Sequence, residues 1–385
     1  MKITVSTHGR FHAFELARGL HDHGALDQLL TPYPAWAVRK VTSTDMPVRS
    51  AAWIECLKRL SSKAGLGNKP DAFIGRKFGQ FASRVNMANS DIFVGWSNAS
   101  LEAIPNARAA GLKIVIERGS SHIEHQADVL SVAYQSLGMK PVETPAGVID
   151  RELAEYELAD AIAVPSQFAA KTFVDRGVSS RKLIVNNYGV DLTRFRTADK
   201  RIDHAKPRIL FVGQVGVRKG IPNLLKAFSA LNAQAELHLV GPVEAGFESY
   251  LRDAETDNVV ITGAVPGSDL PNIYAEADIF CLPSVEEGFP LVNLQALASG
   301  CPVITTEAAG AADVITDGKN GLVIASNAVS ELTNALERLI GDTPSRQQMS
   351  VAAVQSAQEG FSWDHYVDRA MITYAKLLSD KEIGT

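Results

Sequence analysis

Only three cysteines, Cys56, Cys281 and Cys301, occur in the 385 residues, and no two form a C-x-x-C pair. That excludes a disulfide framework and a cysteine-built zinc site. An odd, unpaired count suits a reducing cytoplasm. Long apolar runs are missing too. None reaches about 18 residues, so no membrane span is expected. The net charge is only −5, which argues against a nucleic-acid binder. There is no tandem repeat and no low-complexity tract. The opening MKITVSTHGRF already reads as a strand, so no signal peptide is expected.

Apolar residues are plentiful: 46% of the chain, against 21% charged. A soluble globular chain of this length is expected to fold as two domains, each with its own core. Short apolar runs alternate with helical stretches. The expected strands are Lys2–Ser6, Asp91–Trp96, Lys113–Glu117, Ala161–Val164 and Leu183–Asn186 in the first half. Arg208–Val212, Glu236–Val240, Val259–Thr262, Ile279–Leu282, Val303–Thr305 and Gly321–Ile324 follow in the second. Continuous apolar runs between helices predict parallel strands buried on both faces, hence an α/β fold of two doubly wound, Rossmann-like halves. The polar stretch Thr197–Pro207 reads as the linker. The expected domains are 1–196 and 207–361, facing a cleft at the strand C-termini.

Charge is unevenly spread. Ten Lys or Arg and three acidic residues lie between Arg39 and Arg84. Trp53, Ile54, Leu57 and Leu60, then Phe73, Ile74, Phe78 and Phe81, recur there at helical spacing. A basic amphipathic stretch of this kind fits an anionic membrane surface; the alternative is a pair of helices packed on their own domain.

The most informative run is PSVEEGFPLVNLQALASGCPVIT, Pro283–Thr305. It reads as a strand end, an acidic turn, a helix with Pro290 at its first position, and a second strand. Glu287 and Gly288 are expected to leave backbone N–H groups facing a ligand, and a helix N-terminus favours phosphate. Taken alone, the run is more often a capped helix that binds nothing. A second loop, Gly213-Gln214-Val215-Gly216-Val217-Arg218-Lys219-Gly220, links a strand to a helix. Its glycines allow close backbone approach, and two cations suit a diphosphate. It is neither a P-loop nor G-x-G-x-x-G.

Glu287-Gly288-Phe289-Pro290 with Gln295-Ala296-Leu297-Ala298-Ser299-Gly300-Cys301-Pro302-Val303-Ile304 resembles the E-x7-E signature of the retaining family 4 glycosyltransferases (glycosyl transferases group 1). In that family a second glutamate stands where this chain has Gln295, and glycine is usual at 290. Lys219 matches the lysine of the family's G-R-L-x-x-x-K-G loop, and Gln214 replaces its arginine. Ala163-Val164-Pro165-Ser166 and Asn187-Tyr188-Gly189-Val190-Asp191 resemble its first-domain landmarks. The resemblance spans nearly the whole chain. It implies a GT-B fold, with a C-terminal helix of about 362–385 crossing back onto the first domain.

The resemblance further implies a hexosyltransferase. It would take a nucleotide-diphosphate sugar as co-substrate and pass the hexose, with retention, to a glycan or polyprenyl-linked acceptor in surface polysaccharide or lipopolysaccharide synthesis. Glu287, His122 and Lys219 are the expected catalytic set. Gly213, Gln214, Arg218, Gly288, Phe289, Pro290, Leu291 and Gln295 are expected around the donor. Gly9, Arg10, His12 and Arg118 are expected on the acceptor side, with Glu117 and His125 as secondary candidates. Arg218 is considered as a replacement for the missing arginine, although adjacent side chains on an extended loop tend to diverge. No cofactor and no metal are expected, since D-x-D is absent. The expected location is cytoplasmic, at the inner face of the plasma membrane where 39–84 meets lipid. The alternatives are an epimerase or phosphorylase of the same fold, or a degenerate binding partner.

Overall fold

The computed structural model describes residues 1–67, 69–197, 204–231, 234–254 and 258–379. Thirteen strands form two separate parallel sheets among them. The first sheet contains β1 (Ile3–Ser6), β2 (Leu26–Thr31), β3 (Val48–Ser50), β4 (Ile92–Trp96), β5 (Lys113–Glu117), β6 (Ala161–Val164) and β7 (Leu183–Val185). The second contains β8 (Arg208–Val212), β9 (Glu236–Val240), β10 (Val259–Gly263), β11 (Ile279–Leu282), β12 (Val303–Thr306) and β13 (Gly321–Ile324). The orders are β3-β2-β1-β4-β5-β6-β7 and β10-β9-β8-β11-β12-β13. Central strands such as β1, β4, β6 and β11 are buried along their whole length, as strands covered by helices on both faces must be.

Each sheet reverses its winding once, between β1 and β4 and between β8 and β11. The loops leaving those strands splay apart and create a crevice at the strand C-termini. The turn after β1 and the loops after β8 and β11 are the segments that the sequence singled out. The expected strands recur within a residue or two. β2 and β3 were not expected. Asp27 and Gln28 interrupt the apolar run of β2, and β3 is a three-residue edge strand that is half or fully exposed.

The helix Trp363–Ser379 returns to the first sheet's domain. Val190 donates its N–H to Phe361 O at 2.7 Å, and Arg369 donates to Asn187 O at 2.7 Å. A side chain at Gly19 would strike Val367, so this glycine lets the terminal helix lie directly on the helix Ala13–Asp22. The expected linker falls partly on 198–203, outside the described residues. Its end is tied down: Lys206 donates to Asn258 Oδ1 at 3.3 Å. The expected terminal helix also runs past 379, beyond the described residues.

The basic stretch forms the helices Ala52–Lys63 and Asp71–Ala82. Ile54, Ile74 and Phe78 turn into the core, whereas Trp53 (50% exposed), Leu60 (63%) and Phe73 (54%) face outward. Trp36 is 71% exposed on the preceding helix Ala35–Thr42. No helix among the described residues is long and apolar enough to cross a membrane.

Candidate active site

The loop after β8 and the acidic turn after β11 meet at the crevice. Gly220 is in the left-handed region (φ 72°), and a Cβ there would collide with the Pro283 carbonyl oxygen. That contact seats the end of the loop directly on the turn. Lys219 Nζ then reaches Glu287 Oε2 in an ion pair. Arg218 Nε donates to the Glu286 carboxylate and to the Glu286 carbonyl, both at 3.2 Å, and its NH2 is 3.7 Å from Glu287 Oε1. The two neighbouring cations converge on the two neighbouring carboxylates; they do not diverge as expected.

Three details of the turn also differ from expectation. Pro290 is the N-cap, extended at φ −76°, ψ 109°, and the helix begins at Leu291. The Glu287 N–H is not free: it donates to Ala308 O at 2.9 Å. Pro290 has no N–H, so the amides left for an anion are those of Gly288, Phe289 and Leu291. Gly288 is pressed against the first domain. A Cβ there would meet the backbone of Gly119 and Ser120, and its carbonyl accepts from Ser166 Oγ at 2.7 Å.

The first domain contributes the segment after β5. Ser120 Oγ and Ser121 Oγ donate to Glu286 Oε1 at 2.8 and 2.7 Å, and Gln126 Nε2 donates to Glu286 Oε2 at 2.8 Å. Glu286 is 0% exposed. Burial alone would raise its carboxyl; the Arg218 charge and the hydrogen bonds from Ser121, Gln126 and Ser120 overcome this and hold it down at about 2. The carboxylate is therefore ionised and shared between domains.

The expected acceptor-side residues separate into two groups. Arg118 is consumed internally, donating to Glu152 at 3.1 Å, to Gln126 Oε1 at 2.9 Å and to Ser121 O at 3.1 Å. It shapes the 118–126 segment and offers no bond to the cleft. His12 is buried, its Nε2 3.3 Å from Glu117 Oε2 and its ring 4.0 Å from that of Tyr188. Tyr188 in turn meets Phe289 edge-on at 5.7 Å, so His12 touches the second domain through an aromatic stack. Arg10 is exposed and lines, with Phe11, His12, Arg194 and Gln295, a cavity of about 190 Å³. Gly9 is buried beneath the ring of Phe11.

His122 caps the helix Ile123–Ser136, and its ring is 2% exposed between Tyr156 and Phe173. Burial first, then Arg176 and Arg118, push its pKa down to about 4, so it is neutral at pH 7. His125, one turn on, is half-buried, and Glu286 is among the charges that act on it. In the second domain, Gln295 Oε1 accepts from Tyr274 OH at 3.1 Å. Gln214 is exposed on the loop rim, and Gly213 closes the strand end by donating to Val240 O at 2.9 Å.

Residues 194–356 match the family described as "Glycosyl transferases group 1". The similarity to the group 1 glycosyl transferases lies in these residues, less than half of the chain. The matched segment holds both the Gly213–Gly220 loop and the Glu287–Gln295 stretch. Among curated relatives, the D-inositol 3-phosphate glycosyltransferase of Nocardia farcinica is 28% identical over 254 residues, 60% of this chain and 56% of that protein. The sulfoquinovosyl transferase SQD2 of Arabidopsis thaliana is 30% identical over 223 residues, 54% of this chain and 43% of that one. The chain thus spans about half the length of these relatives. Several solved structures match almost end to end. Sucrose-phosphate synthase of Thermosynechococcus elongatus has a TM-score of 0.75 at 18% identity, covering 99% of this chain and 100% of that one. HepE of Anabaena, solved with UDP and glucose, has a TM-score of 0.71 at 17% identity, covering 98% and 100%. These likenesses establish the fold as GT-B.

Sequence reasoning missed the residues that join the two domains at this site: Glu286, Ser120, Ser121, Gln126, Tyr134 and Glu244. A readable signal existed for one of them. Two adjacent acidic residues in a strand-to-helix turn need counter-charges or donors, which marks Glu286 beside Glu287 as a place to look for partners.

Proposed function

We propose that this protein is a retaining hexosyltransferase that moves a sugar from a nucleotide diphosphate to a glycan or lipid-linked acceptor. The observation that carries this reading is the convergence of Lys219 and Arg218 on Glu286 and Glu287 at the mouth of the crevice. Two cations fixed beside free backbone amides suit a departing diphosphate. Breaking the bond from the anomeric carbon to the phosphate oxygen builds negative charge on that oxygen. Lys219, Arg218 and the amides of Gly288, Phe289 and Leu291 oppose this charge as it develops, where stabilisation accelerates most. Glu287, released by Lys219, holds the sugar hydroxyls. The acceptor oxygen bonds to the anomeric carbon on the face the diphosphate leaves, and its proton passes to the leaving phosphate oxygen. Retention follows from that front-side path.

In this reading no cofactor enters, and protein cations fill the place that a metal takes in other transferases. Arg218 replaces the arginine absent at 214, and Gln295 takes the ribose hydroxyls. Arg10, beside the small cavity, meets the acceptor. His122, neutral and packed behind the Gly119–Gln126 segment, supports that segment. The UDP and glucose with which HepE was solved favour a uridine donor. The outward aromatic residues among the cations of 39–84 favour an anionic membrane surface, hence lipid-linked acceptors and polysaccharide assembly at the inner face of the plasma membrane.

The test is calorimetry and thermal shift against UDP-, GDP-, ADP- and dTDP-sugars, followed by donor hydrolysis and transfer assays. Saturation at about 100 times the dissociation constant stabilises by about 2.7 kcal/mol. Failure of all four donors to bind would end this reading.

A further inference from the structure

The helix Ile123–Ser136 of the first domain touches the Gly213–Gly220 loop through two carboxylates of the second. At one end, Gln126 donates to Glu286, which holds Arg218. Two turns further along, Tyr134 OH donates to Glu244 Oε1. Glu244 is buried, and its other oxygen accepts from the Val217 N–H at 3.0 Å. A Cβ on Gly216 would strike the Glu244 side chain. Elsewhere helix and loop are separated by a groove of about 510 Å³ lined by Val129, Val132, Ala133, Val217 and Gly220. The polar ties are therefore specific connections across an otherwise open seam.

We propose that Glu286 and Glu244 are positioning residues: they let the first domain set the conformation of the loop that carries Arg218 and Lys219. The inference rests on the reading of that loop as the diphosphate site, and it names groups that touch no substrate. Its physical basis is pre-organisation. Arg218 reaches the Glu286 carboxylate and carbonyl at 3.2 Å and, in the first domain, Ser120 Oγ at 3.5 Å; without Ser120, Ser121 and Gln126, the Glu286 carboxylate loses three of its donors. A long side chain then regains rotamer freedom, and the second cation is no longer fixed. Glu244 acts on the same loop at Val217, one residue earlier, and Tyr134 supplies its link to the first domain. The phosphate loop is complete only in the closed arrangement, so donor binding and closure favour each other.

The experiment uses the full chain with Glu286→Gln, Glu286→Ala and Tyr134→Phe. Glu286→Gln keeps the shape of the side chain and removes its charge. Spin labels on the exposed Cys56 and on Glu337→Cys report the distance between domains without any ligand; Cys281 and Cys301 are buried. We expect a longer and broader distance distribution in all three variants. We also expect kcat/KM for the donor to fall by about 100-fold in Glu286→Ala, chiefly through a weaker affinity for the nucleoside diphosphate, and by less in the other two. Melting temperatures within a few degrees of the parent keep these comparisons valid for Glu286→Gln even if Glu286→Ala fails to fold. Unchanged distances together with unchanged nucleotide affinity overturn the proposal. So does a longer distance with unchanged affinity and turnover, which leaves the ties as domain glue. If the parent protein binds no nucleotide, the reading of the loop falls, while the ligand-free distances still decide whether these ties hold the domains.

Discussion

Lys219 and Glu287 are in direct ionic contact, although they come from loops 68 residues apart, and neither side chain is more than about a fifth exposed. Each is therefore occupied by the other when no donor is bound. In the proposed function, a diphosphate that takes Lys219 releases Glu287 for the sugar, so one exchange of partners readies both ends of the donor.

This pairing separates the roles of the two residues. Lys219→Ala removes a cation from the developing charge, and we expect kcat/KM to fall by about 10²–10³-fold with the fold intact. Glu287→Gln frees Lys219. We expect a nucleoside diphosphate without sugar to bind it about fivefold more tightly, the worth of a partly exposed ion pair of about 1 kcal/mol, while sugar transfer drops sharply. Titration calorimetry with UDP beside a transfer assay checks both. Weaker UDP binding by Glu287→Gln would contradict the competition.

Gly288 offers a steric test. A methyl group there meets the backbone of Gly119 and Ser120, and backbone cannot rotate away. Gly288→Ala is expected to wedge the domains apart, at a cost of about 1–3 kcal/mol for the overpacked contact. Transfer should be lost while each domain's own core survives. Limited proteolysis and the interdomain label distance would reveal the opening; a normal distance with full activity would refute it.

Much of this was legible in sequence, and the gaps have physical causes. Buried parallel strands announce themselves as apolar runs, so β4, β5, β8 and β11 were placed within a residue or two. β2 carries Asp27 and Gln28, and β3 is a short exposed edge strand, so neither has that signature. The Lys219 loop and Glu287 were found because their spacing is local. Glu286 was passed over because its meaning lies in Ser120, Ser121 and Gln126, some 160 residues away. Arg118 shows the opposite limit: it follows β5, yet Glu152 and Gln126 take its donors, and no sequence pattern reports that.

Acid should loosen the domain contact. The Glu286 carboxyl is lowered to about 2 from an ordinary value of about 4.3. A carboxyl lowered on folding contributes stability that is complete above its unfolded value and lost as pH falls toward the folded one. The window therefore runs from about pH 4.5 down to about pH 2, and the amount is of order 3 kcal/mol. Melting temperatures measured from pH 5 to pH 2.5 should fall more steeply for the parent than for Glu286→Gln. Parallel curves would remove Glu286 from the account.

The outer face of the first domain makes the last prediction. Its cations between Arg39 and Arg84 outnumber its acids ten to three, on a chain whose net charge is −5, so attraction to anionic lipid has to be local to this face. Trp53, Leu60 and Phe73 are exposed within that stretch, and aromatic rings such as those of Trp53 and Phe73 settle at the headgroup level. Each basic group near an anionic surface contributes about 1 kcal/mol, whereas the apolar groups bind whatever the headgroup charge. The chain should therefore sediment with vesicles rich in anionic lipid and much less with neutral ones, and salt should weaken that binding. Trp53→Ala with Phe73→Ala should reduce it without changing the melting temperature, because both side chains are at least half exposed in the folded protein. Equal sedimentation with neutral and anionic vesicles would leave this face without a lipid role, and the proposed donor site at Lys219 would stand unaffected.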